Sequence, residues 1–234
     1  MTRKRPVVAI DGPAGAGKST AARLLAGKLG YVRVDTGALY RTVAWLALER
    51  GIDLSDTQAV VAVAKELAAP GALRLVPGPT ESEVVVFGEG LGSKIRTLQV
   101  GSAASLVSQI QGVRDALFAM QRALGAEGGV VLEGRDIGTV IYPDAEVKFF
   151  LTASVRVRAE RRQRELRERG SEVPLAEVES EVTERDRRDS TRALAPLRKA
   201  DDAIEVDSSE LTLEEVIDQM VAIVREAELK LTKS

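Results

Sequence analysis

The sequence predicts an α/β fold built around a parallel β-sheet, and three features of the chain support this prediction. Short runs rich in Val and Ile alternate with longer segments that have helical periodicity. The apolar runs are continuous, which is typical of strands buried on both faces of a parallel sheet. A glycine-rich turn at residues 12–17 joins the first predicted strand to the first predicted helix. This alternation predicts a doubly wound sheet with right-handed crossovers.

The segments that end the predicted strands carry most of the chemically active residues. The strands that we predict are Val7–Asp11, Val32–Asp35, Val130–Glu133, Val147–Leu151 and Ala203–Val206. The helices that we predict are Lys18–Leu29, Gly37–Arg50, Ser105–Gly125, Val155–Arg169, Leu175–Ser190 and Leu213–Leu229. Ligands of open α/β sheets bind at the carboxyl ends of strands. We therefore expect the segments D-G-P, D-T-G, E-G-R-D and L-T-A-S to lie at one shared site.

The stretch Ala69–Arg96 interrupts the alternation of strands and helices. It contains Pro70, Pro77 and Pro79, several glycines and a β-prone run at Glu83–Phe87. Because Pro and Gly end regular structure while Val favours strands, we predict a small β-rich insertion, such as a hairpin, over one edge of the site. A disordered surface loop is the alternative that the same composition allows.

The first predicted strand runs directly into G-x-x-x-x-G-K-S at residues 12–19. Glycines let such a loop curl so that successive N–H groups point at phosphate oxygens. Lys18 adds a positive charge for the β- and γ-phosphates, and the Ser19 hydroxyl is suited to bind Mg²⁺. A helix that begins near Lys18 directs the positive end of its dipole at the same anion. The sequence thus predicts a nucleotide-binding P-loop formed by Gly12, Pro13, Ala14, Gly15, Ala16, Gly17, Lys18, Ser19 and Thr20.

The composition limits the chemistry that this site can perform. The chain of 234 residues contains no His and no Cys, which removes the commonest general base and excludes disulfides and thiolate nucleophiles. Chemistry must therefore use carboxylates, Arg, Lys, hydroxyls, backbone amides and a hard cation. Phosphoryl transfer fits this restriction because it depends on positioning and charge stabilisation. The formal net charge of −2 favours neither nucleic acid nor an anionic membrane as a partner.

Thr36, Gly37, Tyr40 and Arg41 follow the second predicted strand in D-T-G-A-L-Y-R. Thr36 is of a residue type that caps helices at their amino end. With a helix beginning there, its first amides and the Arg41 guanidinium are placed to bind a second phosphate group. A capped surface helix with an exposed arginine is the alternative, and the neighbouring P-loop favours the functional interpretation.

Glu133, Gly134, Arg135 and Asp136 lie at the carboxyl end of the third predicted strand. Charged residues flanked by glycines at a strand terminus are poor material for a core. We expect Glu133 to hold the Mg²⁺ of a nucleotide through water. Arg135 is placed to bridge donor and acceptor phosphates and to stabilise the charge that spreads in the transition state.

One predicted helix is crowded with arginines: Arg156, Arg158, Arg161, Arg162, Arg164, Arg167 and Arg169. Glu160 is spaced to pair with Arg164. Glu165 is spaced to pair with Arg161 and with Arg169. Arg158 has no acidic residue three or four positions away, so we expect it to bind an external anion, such as a phosphate of ATP under a closing lid. A solvated helix face is the alternative for several of the other arginines.

Arg185, Asp189 and Arg192 are spaced four and three residues apart, which places them on one face of a predicted helix. They are consistent with an ion-pair ladder, which contributes little to stability when exposed. They are equally consistent with a set of ligand-binding residues. Spacing alone does not decide between the two.

Four motifs taken together resemble those of bacterial cytidylate kinases. They are G-P-A-G-A-G-K-S-T, D-T-G-A-L-Y-R, E-G-R-D-I-G-T-V-I-Y-P-D-A and E-R-D-R-R-D-S-T-R-A-L-A-P-L, and they cover essentially the whole chain in the order of that family. The resemblance implies a P-loop NTPase fold, in which helices flank a five-stranded parallel sheet, with a small β-rich insert and a helical lid. It places the core in residues 1–68, 97–155 and 171–234, the CMP-side insert in residues 69–96 and the lid in residues 156–170.

The resemblance also implies a reaction, the transfer of the γ-phosphate of ATP to CMP or dCMP with Mg²⁺ as cofactor. The implied catalytic residues are Lys18, Arg41, Arg135 and Arg158. Arg158 and Arg162 would bind ATP together with the P-loop, and Ser19 and Glu133 would hold the metal. The residues implied to bind CMP are Thr36, Tyr40 and Arg41 with Gly134 and Arg135 at its phosphate, Ser105, Arg114, Asp136 and Arg192 at the cytosine, and Arg185 and Asp189 at the ribose.

Two other functions are compatible with the same motifs. The first is a P-loop kinase for another nucleoside monophosphate or a small metabolite, in which Asp136 or Asp35 would act as the base for a hydroxyl acceptor. The second is a nucleotide-dependent switch, which is disfavoured because no N-K-x-D motif occurs and the arginine-rich segment indicates transfer. The helices show no long heptad seam, and no apolar run suits a signal peptide or a membrane span. We therefore expect a cytoplasmic monomer that binds neither nucleic acid nor membranes.

Overall fold

The computed structural model describes residues 3–76, 83–168 and 170–232. Arg169 and residues 77–82, which include Pro77 and Pro79 of the predicted insertion, lie outside the described residues. The chain divides into two compact units, one formed by Met1–Tyr31 with Gly128–Ser234 and the other by Val32–Glu127.

The strands and helices occur in the alternating order that the sequence predicts. The strands are β1 (Val7–Asp11), β2 (Val32–Asp35), β3 (Leu73–Val76), β4 (Glu83–Val86), β5 (Glu89–Gly90), β6 (Val130–Gly134), β7 (Val147–Thr152) and β8 (Ile204–Asp207). The helices are α1 (Lys18–Leu29), α2 (Gly37–Glu49), α3 (Thr57–Ala68), α4 (Leu98–Val107), α5 (Gln111–Leu124), α6 (Val155–Glu168), α7 (Leu175–Thr191) and α8 (Leu213–Thr232). Short 3₁₀ and π turns occupy Gly92–Arg96 and Ile137–Ile141. Among the described residues, no helix is long and apolar enough to cross a membrane.

The main sheet has five strands in the order β2-β6-β1-β7-β8. The central strand β1 pairs in parallel with β6, where Val7 lies opposite Val130, and with β7, where Val8 lies opposite Val147. Strand β7 in turn pairs in parallel with β8. Every residue of β1 is buried, which explains why its sequence is continuously apolar rather than alternating. The predicted fold class is confirmed.

In the first unit, one hydrophobic core joins the sheet to helices α1 and α8. Leu25 and Leu29 of α1, spaced one turn apart, pack in the same cluster as Ile10 of β1 and Phe149 of β7. Helix α8 contributes Val216, Ile217, Met220 and Val224 to this core. This packing holds α1 against the sheet, and residues 12–17 join the carboxyl end of β1 to the amino end of α1.

The second unit contains helices α2–α5 and a separate antiparallel sheet in the order β3-β4-β5. Leu73 pairs with Val86 in this sheet, and Val84 and Val86 are buried against the helices of the same unit. The β-rich character predicted for the insertion is confirmed, and the alternative of a disordered loop is wrong for its described residues. The sheet has three strands rather than the two of a hairpin.

The helix predicted over Ser105–Gly125 is wrong, because the chain forms two helices there. Helix α4 ends at Val107, and Ile110 adopts extended dihedrals (φ −85°, ψ 117°) before α5 begins at Gln111. Ser105 therefore belongs to α4 and Arg114 to α5.

Helix α3 was not predicted from the sequence, although its amino end carries a clear capping signal. The Asp56 carboxylate accepts a hydrogen bond from the Ala59 amide at 3.0 Å. The buried residues Val60, Val63 and Leu67 follow at helical spacing. Helix α4 begins in the same way, since the Thr97 hydroxyl accepts a hydrogen bond from the Val100 amide.

Replacing Asp56 with alanine should destabilise the second unit by about 1 kcal/mol, because an amide at the amino end of α3 would lose its acceptor. The free energy of unfolding measured by urea titration checks this expectation. Asp201→Ala, at an exposed turn, is the control and should change the free energy of unfolding by less than about 0.5 kcal/mol. Equal effects of the two substitutions would contradict the capping role.

Candidate active site

The loop between β1 and α1 requires glycine at two positions. Gly12 has φ 151°, and a Cβ there would lie 1.9 Å from the carbonyl oxygen of Leu151. Gly15 has φ 74°, and its Cβ would lie 2.9 Å from the carbonyl oxygen of Arg158. The N-cap residue of α1 is Gly17, which has no side chain to cap the helix. The amino end of α1 is thus suited to an external anion.

Lys18 is buried at the first position of α1, and its Nζ donates a hydrogen bond to the Pro13 carbonyl at 2.6 Å. Burial lowers the pKa of Lys18 well below its ordinary value, and the positive charges of Arg135 and Arg185 lower it further. Glu133 and Asp11 act in the opposite direction. A polyanion bound beside these cations would favour the charged form of Lys18.

The side-chain oxygens of Ser19 and Glu133 lie next to each other at the amino end of α1. The Ser19 hydroxyl donates a hydrogen bond to Glu133 Oε2 at 2.6 Å, and Glu133 is itself buried at the end of β6. Hydroxyl and carboxylate oxygens are the ligands that Mg²⁺ prefers. The described residues contain no cluster of three or more His, Cys, Asp or Glu that would form a metal site without other ligands. A hydroxyl and a carboxylate so placed fit a cation that completes its coordination with phosphates and water.

Asp11, the last residue of β1, connects the P-loop to the segment after β6. Its two carboxylate oxygens accept hydrogen bonds from the amides of Ile137 and Gly138, at 2.8 and 2.7 Å. These amides begin the π turn, in which the Tyr142 amide donates to the Ile137 carbonyl. Such turns are frequent at functional sites. Burial raises the pKa of Asp11 to about 6, although the two backbone hydrogen bonds oppose this rise.

Arg135 and Arg185 converge on the same buried carboxylate. Arg135 Nε donates to Asp189 Oδ2 at 3.0 Å. Burial alone would raise the pKa of Asp189, but the charges of Arg135 and Arg185 lower it. Burial lowers the pKa of Arg185 to about 10, and Arg135 and Arg162 contribute to this shift. Lys18, Arg135, Arg162 and Arg185 thus form one cationic cluster, in which Arg135 disfavours the charge of both Lys18 and Arg185.

The spacing predicted that Arg192 shares a helix face with Arg185 and Asp189. This prediction is wrong. Helix α7 ends at Thr191, and Arg192 follows with extended dihedrals (φ −60°, ψ 140°). Its Nε donates to the Ala195 carbonyl at 2.7 Å, and its Nη2 lies 3.8 Å from Asp136 Oδ1. Both side chains of this pair are buried. The turn after α7 therefore brings Arg192 to Asp136.

The arginines of α6 pair differently from the sequence prediction. Glu160 binds Arg156 and Glu165 binds Arg162. No acidic residue lies three or four positions from Arg158 in α6, but Asp186 of α7 lies 2.6 Å from its Nη1. Local spacing in α6 does not reveal a partner that comes from another helix.

Arg161 was not among the site residues predicted from the sequence, yet it contacts the P-loop. Its Nη1 donates to the Ala16 carbonyl at 3.4 Å and to the Ser208 hydroxyl at 3.0 Å. Its Nη2 donates to the Ser208 carbonyl at 2.9 Å. Arg161 therefore ties α6 both to the P-loop and to the residues that follow β8.

In the second unit, Asp35 organises the beginning of α2. Thr36 occupies the N-cap position, but its side chain makes no capping hydrogen bond. The Asp35 carboxylate accepts the hydrogen bond of the Ala38 amide instead, and it also binds Arg41 Nη2 at 2.5 Å. Burial opposes ionisation of Asp35, but Arg41 holds its pKa below the ordinary value. Arg41 is thereby fixed at the amino end of α2.

Tyr40, Arg114 and Ser105 also lie in the second unit, on three different helices. The Arg114 guanidinium lies 5.8 Å from the centre of the Tyr40 ring. Gln121, which the sequence did not single out, is buried and donates to the Tyr40 hydroxyl at 3.4 Å. Arg114 Nη1 donates to the carbonyl of Ser108, one turn after Ser105.

Some predicted site residues carry a buried polar atom that has no hydrogen-bond partner among the described residues. These atoms are Arg41 Nε, Ser105 Oγ and Arg185 Nε. A buried donor without a partner is costly, by about 1–3 kcal/mol. Each of these atoms is therefore suited to bind a polar ligand.

The family model for cytidylate kinase matches residues 8–226. The chain belongs to the cytidylate kinase family. A cytidylate kinase of Geobacter sulfurreducens is 47% identical over 226 residues, which cover 97% of this chain and 95% of the relative. A bifunctional pantoate ligase/cytidylate kinase of Synechococcus sp. (strain JA-2-3B'a(2-13)) is 48% identical over 226 residues. The alignment with the bifunctional relative covers 95% of this chain and 41% of that relative.

Comparison with solved structures supports the fold. A gluconokinase from Sinorhizobium meliloti 1021 superposes with a TM-score of 0.51 at 18% sequence identity, and the match covers 99% of each chain. At this identity the likeness concerns the fold alone.

The stability of this cytidylate kinase family member relative to its Asp11→Asn variant should decrease as the pH rises. Its pKa is about 6 in the folded chain and about 3.9 in an unfolded chain. The proton is bound more tightly in the folded state, so this stabilisation is complete below about pH 4 and is lost as the pH rises through about 6. We expect the free energy of unfolding of the unmodified chain, minus that of the variant, to fall by up to about 3 kcal/mol between about pH 4 and pH 7.

Urea titrations at several pH values measure this difference. Asp35→Asn is the control of opposite sign, because the pKa of Asp35 is lowered in the folded chain. The stabilisation by Asp35 is lost as the pH falls. If the difference in free energy of unfolding between the unmodified chain and Asp11→Asn does not change with pH, the raised pKa assigned to Asp11 is contradicted.

Proposed function

We propose that this chain transfers the γ-phosphate of ATP to CMP or dCMP, which yields ADP and CDP or dCDP. Its membership of the cytidylate kinase family and its near full-length similarity to the Geobacter protein support this reaction. The observation that carries the proposal is the cluster of Lys18, Arg135, Arg162 and Arg185 beside the P-loop. Such a cluster is suited to a transition state in which negative charge spreads over a transferring phosphoryl group.

On the ATP side, we propose that the amides of residues 12–20 bind the phosphates and that Lys18 binds the β- and γ-phosphates. Ser19 and Glu133 would hold Mg²⁺, which when bound would neutralise charge on the phosphate oxygens. Arg162 would bind the phosphates from the lid, and its charge acts on Arg185 in the same cationic cluster. Arg158 remains a predicted ATP-binding residue.

On the CMP side, we propose that Arg135 and Arg185 orient the acceptor phosphate and ribose together with Asp189. Asp189 is buried and ionised between these two arginines, so it can accept hydrogen bonds from ribose hydroxyls. Asp136 would accept a hydrogen bond from the amino group of cytosine. Arg192, beside Asp136, would donate to the acceptor atoms of the base.

From the second unit, we propose that Thr36 and Arg41 bind the CMP phosphate next to Tyr40. The Nε of Arg41 is one of the buried donors without a partner among the described residues. Ser105 and Arg114 would bind the cytosine. A hydroxyl and a guanidinium suit the N3 and O2 acceptors of this base. Uracil presents a donor at N3 and an acceptor at position 4, which would leave these groups unpaired.

In the proposed reaction, an oxygen of the CMP phosphate attacks the γ-phosphorus of ATP, and the bond to the β-phosphate oxygen breaks. The attacking oxygen already carries negative charge, so no general base is required. The cationic side chains stabilise the charge that moves, and the amides of the P-loop hold the donor in line. A lid over residues 156–170 would exclude water, which otherwise competes for the γ-phosphate.

The insert at residues 69–96, the monomeric state and the cytoplasmic location remain predictions. The charge balance likewise predicts that the chain binds neither nucleic acid nor membranes.

The reaction is tested by the production of ADP from ATP and Mg²⁺ with CMP, dCMP, UMP, AMP or GMP as acceptor and with no acceptor. We expect rapid ADP production with CMP and dCMP and little with the others. A different preferred acceptor would keep a P-loop kinase but exclude the proposed cytosine site. ADP production that does not depend on any acceptor would contradict phosphoryl transfer to a nucleotide.

Two substitutions should separate the nucleotide sites. Arg192→Met should raise KM for CMP by about ten- to a hundredfold and weaken the preference for cytosine over uracil, with KM for ATP nearly unchanged. Lys18→Ala should instead lower kcat by at least about a hundredfold, because it removes a charge that acts in the transition state. Initial-rate kinetics with each substrate varied in turn measure both effects. Equal losses for both nucleotides in Arg192→Met would contradict its assignment to the base.

A further inference from the structure

Arg158 is fixed on three sides although it lies in the arginine-rich helix α6. It is buried, and its Nε donates to the carbonyl of Ala153 at 2.8 Å. Its Nη1 donates to the carbonyl of Ala14 in the P-loop at 3.2 Å and lies 2.6 Å from Asp186 Oδ2 in α7. One guanidinium thus connects the P-loop, the beginning of α6 and the middle of α7.

The contact between Arg158 and the P-loop is tight. A Cβ on Gly15 would lie within 2.9 Å of the Arg158 carbonyl oxygen and 3.1 Å of its Cβ. Arg158 therefore packs against the peptide groups of Ala14 and Gly15. The orientation of these peptide groups determines where the amides of the loop point.

The two carboxylate oxygens of Asp186 have different surroundings. Its Oδ2 makes the ion pair, whereas its Oδ1 is buried and has no hydrogen-bond partner among the described residues. A carboxylate that buries one oxygen without a hydrogen-bond partner costs free energy of folding, so it does not serve stability alone. It does, however, prevent the guanidinium from turning away from Ala14.

We propose that Asp186 is a positioning residue for nucleotide binding. It holds Arg158 against the Ala14 carbonyl and so preorganises the P-loop for the phosphates of ATP. Asp186 acts through Arg158 and does not touch the substrate. This inference rests on the ATP-binding half of the proposed function and is independent of the identity of the acceptor.

The test is the dissociation constant of the β,γ-imido analogue of ATP with Mg²⁺, measured by calorimetry without acceptor. We expect Asp186→Asn and Arg158→Gln each to weaken binding by about ten- to a hundredfold, because small displacements of positioning groups have effects of this size. The double variant should bind no more weakly than Arg158→Gln, since the two residues act as one unit. Glu184→Gln removes a carboxylate from an exposed ion pair of the same helix and should bind within about twofold of the unmodified chain.

A merely structural role would lower the melting temperature of the variants but leave the dissociation constant of the folded protein unchanged. Binding by Asp186→Asn within twofold of the unmodified chain would overturn the proposal. If Asp186→Asn does not fold, Asp186→Ala decides the question in its place, because it also removes the carboxylate and leaves Arg158 unchanged. Unchanged binding by Asp186→Ala would overturn the proposal equally.

The outcome is separable from that of the proposed reaction. Suppose that Asp186→Asn binds the analogue more weakly and that the kinetic assay shows a preferred acceptor other than CMP or dCMP. This result would support the positioning role and exclude the proposed acceptor. Unchanged binding, with strong activity toward CMP, would overturn the positioning role and leave the reaction intact. Failure of the unmodified chain to bind the analogue would overturn both.

Discussion

The carboxylate of Asp11 is the interaction on which the geometry of the first unit depends most. It stands at the end of the central strand and accepts hydrogen bonds from the amides of Ile137 and Gly138. The P-loop begins at the next residue, and the Arg135–Asp136 turn ends immediately before these amides. One buried side chain thus fixes the phosphate-binding loop relative to the turn that carries the arginine. Parallel pairing of β1 with β6 brings these segments together, and Asp11 sets their orientation.

The electrostatics of the first unit follow from this arrangement. Arg135 disfavours the charge of Lys18 and of Arg185, and Arg185 also disfavours that of Lys18. Glu133 acts in the opposite direction on Lys18, and Asp189 does so on Arg185. Burial adds a further penalty for every charged group. Side chains that destabilise one another in this way are typical of functional sites, where a bound ligand favours their charged forms. The ligand that we propose for this site is a polyanion, namely the phosphates of ATP.

The sequence predicted the parts of this molecule that local patterns determine. All five strands of the main sheet and the P-loop were found because continuous apolar runs and a glycine-rich motif are local signals. The break between α4 and α5 was missed, since the residues around Ile110 suit a helix and the turn depends on packing. The partner of Arg158 was missed because Asp186 lies on another helix. Helix α3 is different: Asp56 and the apolar spacing after it were visible signals that were not used.

The arginines of α6 show why residue spacing is a poor guide to their roles. Arg156 is largely exposed and pairs with Glu160 one turn away, an interaction that contributes little to stability. Arg158, two residues later, is buried and pairs across helices with the half-buried carboxylate of Asp186. The helical repeat places these neighbours on different faces, so adjacent positions of one charged run have different functions. A solvated surface and a support for the P-loop therefore coexist on one helix, and only the fold distinguishes them.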